Sequence, residues 1–141
     1  MSLTRQQMDD QVTEHFRYEA ADDIDGVVNS FTTGEGLFHE VIPSPVGALN
    51  DLSQVRAYYE MLFPSVKGES VTPIRRLYGD DFVIDETLWT GEIVDGHWCL
   101  CDGKRGRASF RLLHVFEFAP DGKIKSEQLW CDLATLQQQL G

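Results

Sequence analysis

The feature that most constrains the fold is a pair of long strand-like runs near the end of the chain. Residues 107–119 and 124–133 both alternate apolar and polar side chains, and the segment Pro-Asp-Gly-Lys at 120–123 separates them. Asp-Gly between two alternating runs is one of the strongest short-range signals of a β-hairpin. The sequence therefore predicts a long antiparallel hairpin that any fold of this chain must accommodate.

Helical periodicity occurs in three stretches of the first half. The first covers residues 4–21, the second follows a cap at Asp22 or Asp23, and the third begins with the capping-box pattern of residues 51–54. Pro64 has no backbone N–H to continue a helix, so we expect it to end the third helix.

Strand periodicity dominates the second half. Residues 70–78 and 82–94 predict two strands besides the hairpin, and residues 37–42 predict a short early strand. Three helices followed by antiparallel strands indicate an α+β fold. We expect the helices to pack on a strongly curved, mostly antiparallel sheet, which leaves a cone-shaped pocket. No linker or repeat interrupts residues 1–141, which predict a single domain.

Charge and composition exclude several classes of function. The formal net charge of -11 argues against nucleic-acid binding and against binding to an anionic membrane. No apolar run approaches the roughly 20 residues of a membrane span, and residues 1–10 lack the apolar core of a signal peptide. The odd number of cysteines, at Cys99, Cys101 and Cys131, favours a reducing cytoplasm.

Cofactor motifs are not apparent in the sequence. There is no glycine-rich phosphate loop, and the pair Cys99 and Cys101 has no second ligand pair at zinc-site spacing. We therefore predict neither a nucleotide nor a metal cofactor. No serine or cysteine has a base at recognisable spacing, so a nucleophilic triad is unsupported as well.

Short segments along nearly the whole chain occur in an order that is characteristic of one protein family. They are Asp23–Val28 with Phe31, Pro45–Gly47, Thr90–Glu92, Asp121–Ile124, Asp132 and the ending Gln139–Gly141. In order and spacing they resemble the nuclear transport factor 2-like superfamily, and within it the SnoaL-like polyketide cyclase group. The resemblance implies a cone-shaped α+β fold and the sheet-to-sheet homodimers common in the family. The superfamily hosts many activities, so it does not identify a substrate.

Two site residues follow from this resemblance. In SnoaL-like cyclases an aspartate on the last strand acts as acid and base, and Asp132 resembles its counterpart. Ketosteroid isomerases of the same superfamily place a tyrosine on the first helix as oxyanion donor. The matching position here is His15, with Tyr18 one turn later. Their catalytic aspartate lies in a segment like residues 44–47, where this chain has Ser44, which speaks against that chemistry by that base.

Asp132 is the main candidate for a catalytic acid or base. Gln128, Trp130 and Asp132 follow one another at period two and so share one face of the last strand. We expect that face to form a pocket wall, where apolar neighbours would raise the pKa of the carboxyl toward a useful range. The alternative is that Asp132 caps the segment 133–140 or pairs with an arginine.

Histidines and aromatic residues supply the other candidates. His114 shares a face with Phe116, and either lies satisfied in the core or donates a proton to a developing oxyanion. His15 lies beside the apolar stripe of the first helix, at the pocket or at its rim. The predicted ligand-lining residues are Tyr18, His39, Tyr59, Trp89, Phe116, Gln128 and Trp130, although such aromatics serve equally well as core.

Two hypotheses on function remain. The first is a cofactor-independent enzyme for cyclisation, isomerisation, dehydration or hydrolysis of a small, mostly apolar carbonyl compound, with Asp132 as acid and base and His114 or His15 as donor. The second is a non-catalytic binding or dimerisation module. Leu113 and Val115 make the second face of their strand apolar too, so we expect that face to be covered by a homodimer partner.

Overall fold

The structure is a computed structural model, and it describes residues 3–141. Its helices and strands are α1 (Arg5–Ala20), α2 (Ile24–Asn29), β1 (Phe38–Ile42), α3 (Leu52–Ser65), β2 (Val66–Tyr78), β3 (Phe82–Ile93), β4 (Gly106–Phe118), β5 (Ile124–Cys131) and α4 (Leu133–Gln139). A short 3₁₀ turn, His97–Cys99, lies between β3 and β4. The predicted α+β architecture is confirmed.

Local capping chemistry sets the ends of the helices. Thr4 and Gln7 form a reciprocal capping box at the start of α1, and Asp51 accepts the backbone N–H of Ser53 at the start of α3. Pro64 does not end α3 where we expected, because the helix continues through it to Ser65 and passes directly into β2. A proline near the end of a helix breaks one hydrogen bond, which the last turn tolerates here.

One five-stranded sheet organises the molecule. Its strand order is β1-β5-β4-β3-β2, in which β1 pairs with β5 in parallel and all other neighbours are antiparallel. The sheet is strongly curved and not closed, and α1–α3 pack against its inner face. Within residues 3–141 no helix combines the length and the apolarity needed to cross a membrane.

Strand register arranges the inner face in rows of directly opposed residues. One row joins β3, β4, β5 and β1 through Val83, Phe116, Glu127 and His39. The next two rows, each about 7 Å further along the strands, are Asp85, His114, Leu129 and Val41, and then Thr87, Leu112 and Cys131.

A β-bulge in the predicted hairpin decides which side of β5 faces inward. Phe118 pairs with Ile124, but the neighbouring Glu117 pairs with Ser126, so β5 carries one extra residue, Lys125. A shift of one residue moves every following side chain to the opposite face. Beyond the bulge, Glu127 therefore points inward.

Candidate functional site

Three of the four histidines of the chain converge on one buried carboxylate, that of Glu127. His15 of α1 places Nε2 3.1 Å from Oε2, His39 of β1 places Nε2 3.3 Å from Oε1, and His114 of β4 places Nε2 3.7 Å from Oε2. The Glu127 side chain is only 2% exposed. Because an isolated buried charge is very costly, this ring of imidazoles is what permits a carboxylate here. We call these four residues the Glu127 cluster.

The hydrogen bonds of His15 define its protonation state. The Ser30 hydroxyl donates to the Val27 carbonyl, so toward His15 it can only accept, and Nδ1 donates to it over 2.8 Å. On the other side Nε2 faces the Glu127 carboxylate and, at 3.5 Å, that of Glu19. Burial alone would lower the pKa of His15, but the two carboxylates outweigh it and raise the pKa to about 10. His15 is therefore an imidazolium at neutral pH.

Glu127 is correspondingly held in its charged form. Burial favours the neutral acid, but the imidazoles of His15 and His39 outweigh it and hold the pKa of Glu127 well below its ordinary value. The hydroxyl of Tyr59 lies 3.1 Å from Glu127 Oε1 and 3.1 Å from Glu19 Oε2, so its proton is shared between the two carboxylates. Glu127 and Tyr59 are thus fully engaged by neighbours.

His114 has a buried ring nitrogen without a hydrogen-bond partner among the described residues. Its ring stacks on Phe116 at 5.5 Å and meets Phe16 edge-on at 4.9 Å. Burial outweighs the attraction of Glu127 and lowers the pKa of His114, which leaves a neutral imidazole at pH 7. Because Nε2 faces the carboxylate, the proton belongs on Nε2, and Nδ1 keeps its lone pair. Within residues 3–141 this buried Nδ1 has no hydrogen-bond partner.

Three further buried polar atoms on this side of the sheet lack a partner among the described residues. They are the Tyr58 hydroxyl of α3, Asp85 Oδ2 of β3 and Thr87 Oγ1 of β3. Buried polar atoms are nearly always hydrogen-bonded in folded proteins. The four unmatched atoms, on α3, β3 and β4, therefore call for polar partners from outside the described chain.

The cluster also contains atoms with metal-ligand spacing. One ligand atom each of His15, Glu19 and Glu127 lies within 4.8 Å of the others. A metal at these atoms would have to displace the single Nε2–H proton of His15, which faces both carboxylates. The geometry is that of a hydrogen-bonded ion pair.

The structure places three of the predicted pocket residues on the other side of the sheet. Because of the bulge, Gln128 and Trp130 point outward, and the Trp130 side chain is 48% exposed. Asp132 lies beyond the end of β5 and is exposed, and its carboxylate caps α4 by accepting the Thr135 N–H at 3.3 Å. The predicted pocket wall is thus the outer face of β5.

A surface groove of about 310 Å³ includes two of these residues, Trp130 and Asp132. Its lining contains charged side chains of β2, β3 and β4 but no histidine: Arg75, Glu86, Arg111, Leu112, Leu113, Trp130, Cys131 and Asp132. The expected pairing of Asp132 with a histidine across a pocket is therefore not found.

The other predicted residues lie at or near the inner face. His15, His39, His114, Tyr59 and Phe116 all belong to the Glu127 cluster or touch it, and the ring of Phe116 lies 5.5 Å from those of His15 and His114. Two lie apart. Trp89 packs on Phe110 two rows beyond His114, at 5.4 Å, and Tyr18 packs on Gly26 of α2.

Glu127 is the central residue that the sequence did not reveal. It lies between Ser126 and Gln128, in a polar stretch that is typical of an exposed strand face. A signal was nevertheless present. Ser126, Glu127 and Gln128 come between apolar residues at Ile124 and Leu129, a break in strict alternation that is compatible with a bulge.

Comparison with known proteins identifies a family. The model of the SnoaL-like domain family matches residues 12–127. No curated protein matches the chain in sequence.

Solved structures share the fold. A putative polyketide cyclase from Silicibacter sp. TM1040 is 16% identical with a TM-score of 0.78, covering 99% of this chain and 98% of its own. A second structure is SalBIII, an epoxide hydrolase/cyclase-like enzyme with a role in pyran ring formation in the polyether salinomycin. It is 22% identical with a TM-score of 0.70, and the match covers 92% of this chain and 94% of SalBIII. An LEH-like epoxide hydrolase from M. tuberculosis is 17% identical with a TM-score of 0.69, and the match covers 94% of this chain and 88% of that enzyme.

Proposed function

Since this chain belongs to the SnoaL-like domain family, we propose that it is a cofactor-independent enzyme that moves a proton on a small, mostly apolar carbonyl compound. One observation carries the proposal. The buried, neutral imidazole of His114 keeps Nδ1 free and sets Nε2 3.7 Å from the ionised Glu127. A histidine backed by a carboxylate is a common arrangement for a general base.

The roles of the groups follow from which atoms are free. His114 Nδ1 accepts a proton from the carbon next to the substrate carbonyl, and Glu127 stabilises the imidazolium that forms. Burial raises the pKa of Tyr58 well above its ordinary value, so its unmatched hydroxyl stays protonated and donates to the oxyanion. His15 holds Glu127 in its charged form. Both of its N–H groups are already used, so it acts as a positioning residue.

This assignment moves the base from Asp132 to His114. Asp132 is exposed, and its carboxylate accepts the Thr135 N–H at the start of α4. His114, in contrast, lies on the inner face among Phe16, Phe116 and Leu112. Isomerisation, aldol cyclisation and dehydration all begin with this proton transfer, so they share the same apparatus.

A non-catalytic binding module is the second candidate, and the burial of the cluster favours it. His15 is 0% exposed and Glu127 is 2% exposed, as in an ion pair that only supports the fold. In that case the same interior would hold a ligand without turning it over.

Exchange of carbon-bound protons tests the two candidates without knowledge of the substrate. We expect the protein in D₂O to accelerate deuterium uptake at the activated carbons of 2-tetralone, followed by NMR. His114→Leu should reduce this acceleration by roughly 10²–10⁴-fold. The variant should still fold with a cooperative thermal transition, because His15 and Tyr59 continue to hydrogen-bond the Glu127 carboxylate when the Nε2–H of His114 is lost.

The matched control is His97→Leu. His97 is the fourth histidine, half exposed beside Asp102 and outside the cluster. The His97→Leu variant should accelerate deuterium uptake by 2-tetralone as much as wild type does. Wild-type exchange no faster than in buffer would favour the binding module.

The same reasoning extends to assembly and location. We propose a homodimer through the outer face of the sheet, because Leu77, Phe82 and Trp130 are exposed there while α1–α3 cover the inner face. We also propose a cytoplasmic location, which the three unpaired cysteines at 99, 101 and 131 support.

A further inference from the structure

Three of the unmatched polar atoms lie on two neighbouring rows of the inner face. Asp85 of β3 and His114 of β4 are direct partners across the strands, and Thr87 follows Asp85 on the same face of β3. The three residues are nearly inaccessible, with Asp85 at 3%, Thr87 at 4% and His114 at 4% exposure. Directly opposed residues have Cβ atoms about 5 Å apart, and successive rows are about 7 Å apart. At this spacing the three side chains fall within the span of one small molecule.

Asp85 is held rigidly by the strand beside it. Its Oδ1 accepts from Arg76 Nε at 2.7 Å, and Arg76 in turn donates to Asp9 Oδ1 at 2.7 Å and to Thr13 Oγ1 at 3.0 Å on α1. This fixes the carboxylate and leaves Oδ2 without a partner among the described residues. Preorganised polar atoms of this kind give a binding site its selectivity.

The unmatched atoms require hydrogen-bond donors from a ligand. A carboxylate paired with a guanidinium can only accept, so Asp85 Oδ2 needs a donor. His114 Nδ1 carries a lone pair, because the proton of the neutral ring lies on Nε2 toward Glu127. Thr87 Oγ1 can donate or accept, so it suits a hydroxyl group, which can do both.

We propose that Asp85 and Thr87 form a hydroxyl-binding subsite, and that the natural ligand carries a hydroxyl group held there beside His114. This deepens the proposed function and rests on it for the claim that the inner face takes a small molecule. The apolar end of the ligand packs toward Trp89 and Phe110, the next row along β3 and β4. The substrate class is then a hydroxylated carbonyl compound.

A pair of probes that differ only in donors tests this subsite. Catechol presents two hydroxyl groups, and 1,2-dimethoxybenzene has a similar shape without any donor. We expect catechol to bind roughly tenfold tighter or more, which corresponds to one or two hydrogen bonds. Binding is measured by titration of ¹H–¹⁵N NMR spectra, with the largest shifts at residues 85–87 and 112–114.

Thr87→Val removes the hydroxyl at nearly constant shape and should not disturb the fold, since Thr87 Oγ1 bonds to no described residue. We expect it to weaken catechol binding roughly tenfold and to leave 1,2-dimethoxybenzene unaffected. Asp85→Asn should abolish the preference for catechol, because the amide offers a donor where an acceptor is needed. The control is Thr90→Val on the opposite face of β3, where Thr90 bonds Ser109 and not the interior.

Equal binding of the two probes, no binding of either at millimolar concentration, or an unchanged preference in Thr87→Val would overturn the subsite. These outcomes are separable from those of the exchange experiment. A preference for catechol without 2-tetralone exchange would leave the subsite in a binding module. Exchange without the preference would leave the enzyme and remove the subsite.

Discussion

At the scale of single residues, Glu127 and His15 form the interaction that controls the interior. The two residues are separated by 112 positions in sequence and are both fully enclosed. Removing one partner of a buried ion pair leaves an uncompensated charge, which usually costs several kcal/mol, on the order of 3–5. The network of Ser30, Tyr59 and Glu19 around the pair supplies the hydrogen bonds that make its burial tolerable.

The stabilising effect of His15 should depend on pH in a defined direction. The pKa of His15 is raised from the ordinary 6.5 to about 10 in the folded protein. Its contribution to the free energy of unfolding is therefore complete below pH 6.5 and is lost as the pH rises from 6.5 toward 10. On the acid side, the contribution of Glu127 is lost as the pH falls below its ordinary 4.5.

The measurement compares wild type with His15→Gln by urea unfolding between pH 5 and pH 10. We expect the difference in free energy of unfolding to be largest near pH 5–6.5 and to shrink steadily above pH 6.5. Taking the difference cancels the contributions of groups that do not interact with His15. The charge of His15 lowers the pKa of both His114 and Glu127, so the response of these two groups is part of the measured difference. A difference that stays constant over this range would contradict the imidazolium assignment.

At the scale of secondary-structure elements, the bulge at Lys125 determines the chemistry of both faces of β5. With regular pairing, Phe116 would oppose Ser126 and His114 would oppose Gln128. Trp130 would then lie inside, as the sequence pattern predicts. The additional residue instead directs Glu127 and Leu129 inward and exposes Trp130. Because of this one residue, the inner face carries the carboxylate of Glu127 where regular pairing would place the side chains of Gln128 and Trp130.

Deleting Lys125 should therefore be far more harmful than replacing its side chain. Without the bulge, β5 either exposes Glu127 and breaks the ion pair or strains the turn at 119–124, and both destabilise the fold. We expect the deletion to lose a cooperative thermal transition in circular dichroism. Lys125→Ala, which keeps the extra backbone residue, should melt within a few degrees of wild type. Equal melting of the two variants would show that the register does not depend on the bulge.

Asp132 has a defined role in α4 that predicts its mutational behaviour. Its carboxylate accepts the Thr135 N–H at the start of the helix. Asp132→Ala should lower the free energy of unfolding by about 0.5–2 kcal/mol, while Asp132→Asn, which keeps an accepting oxygen, should cost much less. Neither should change 2-tetralone exchange relative to wild type. A large loss of exchange in Asp132→Asn with unchanged stability would return the catalytic role to this residue.

At the scale of the whole molecule, the two faces of the sheet differ in composition. The inner face packs on the helices, whereas the outer face combines apolar residues with the ion pairs of Arg75 and Arg111 to Glu86. Trp130 lies opposite Leu113 on this face. A face of this composition is typical of a subunit interface, in which apolar centres are bordered by charged groups.

The dimer is tested by light scattering of variants at micromolar concentration. We expect wild type to have the mass of two chains and Trp130→Glu to shift toward one chain, because a charge is buried in the interface. Val46→Glu is the matched control, since Val46 is equally exposed, at 48%, but lies in the loop between β1 and α3. A monomeric wild type, or equal dissociation of both variants, would exclude this interface.

The sequence by itself determined the types of elements, their order and the family. Helical periodicity, capping residues and the Asp-Gly turn are local properties, so α1, α3, β3 and the β4–β5 hairpin lie close to where the pattern predicts them. Periodicity also showed that Gln128, Trp130 and Asp132 share a side. It could not show which side, because that depends on the register against β4.

Tertiary structure alone decided the composition of the site. Glu127 meets His15, His39 and His114 through a parallel pair, an antiparallel pair and a packed helix, none of which is encoded by neighbours in sequence. The single-residue bulge then turned Glu127 to the inner face and Trp130 to the outer face. Face and register are set by long-range pairing, whereas helix and strand are set locally. This is the physical reason why the fold and the histidines of the candidate site were predictable from the sequence and the central carboxylate was not.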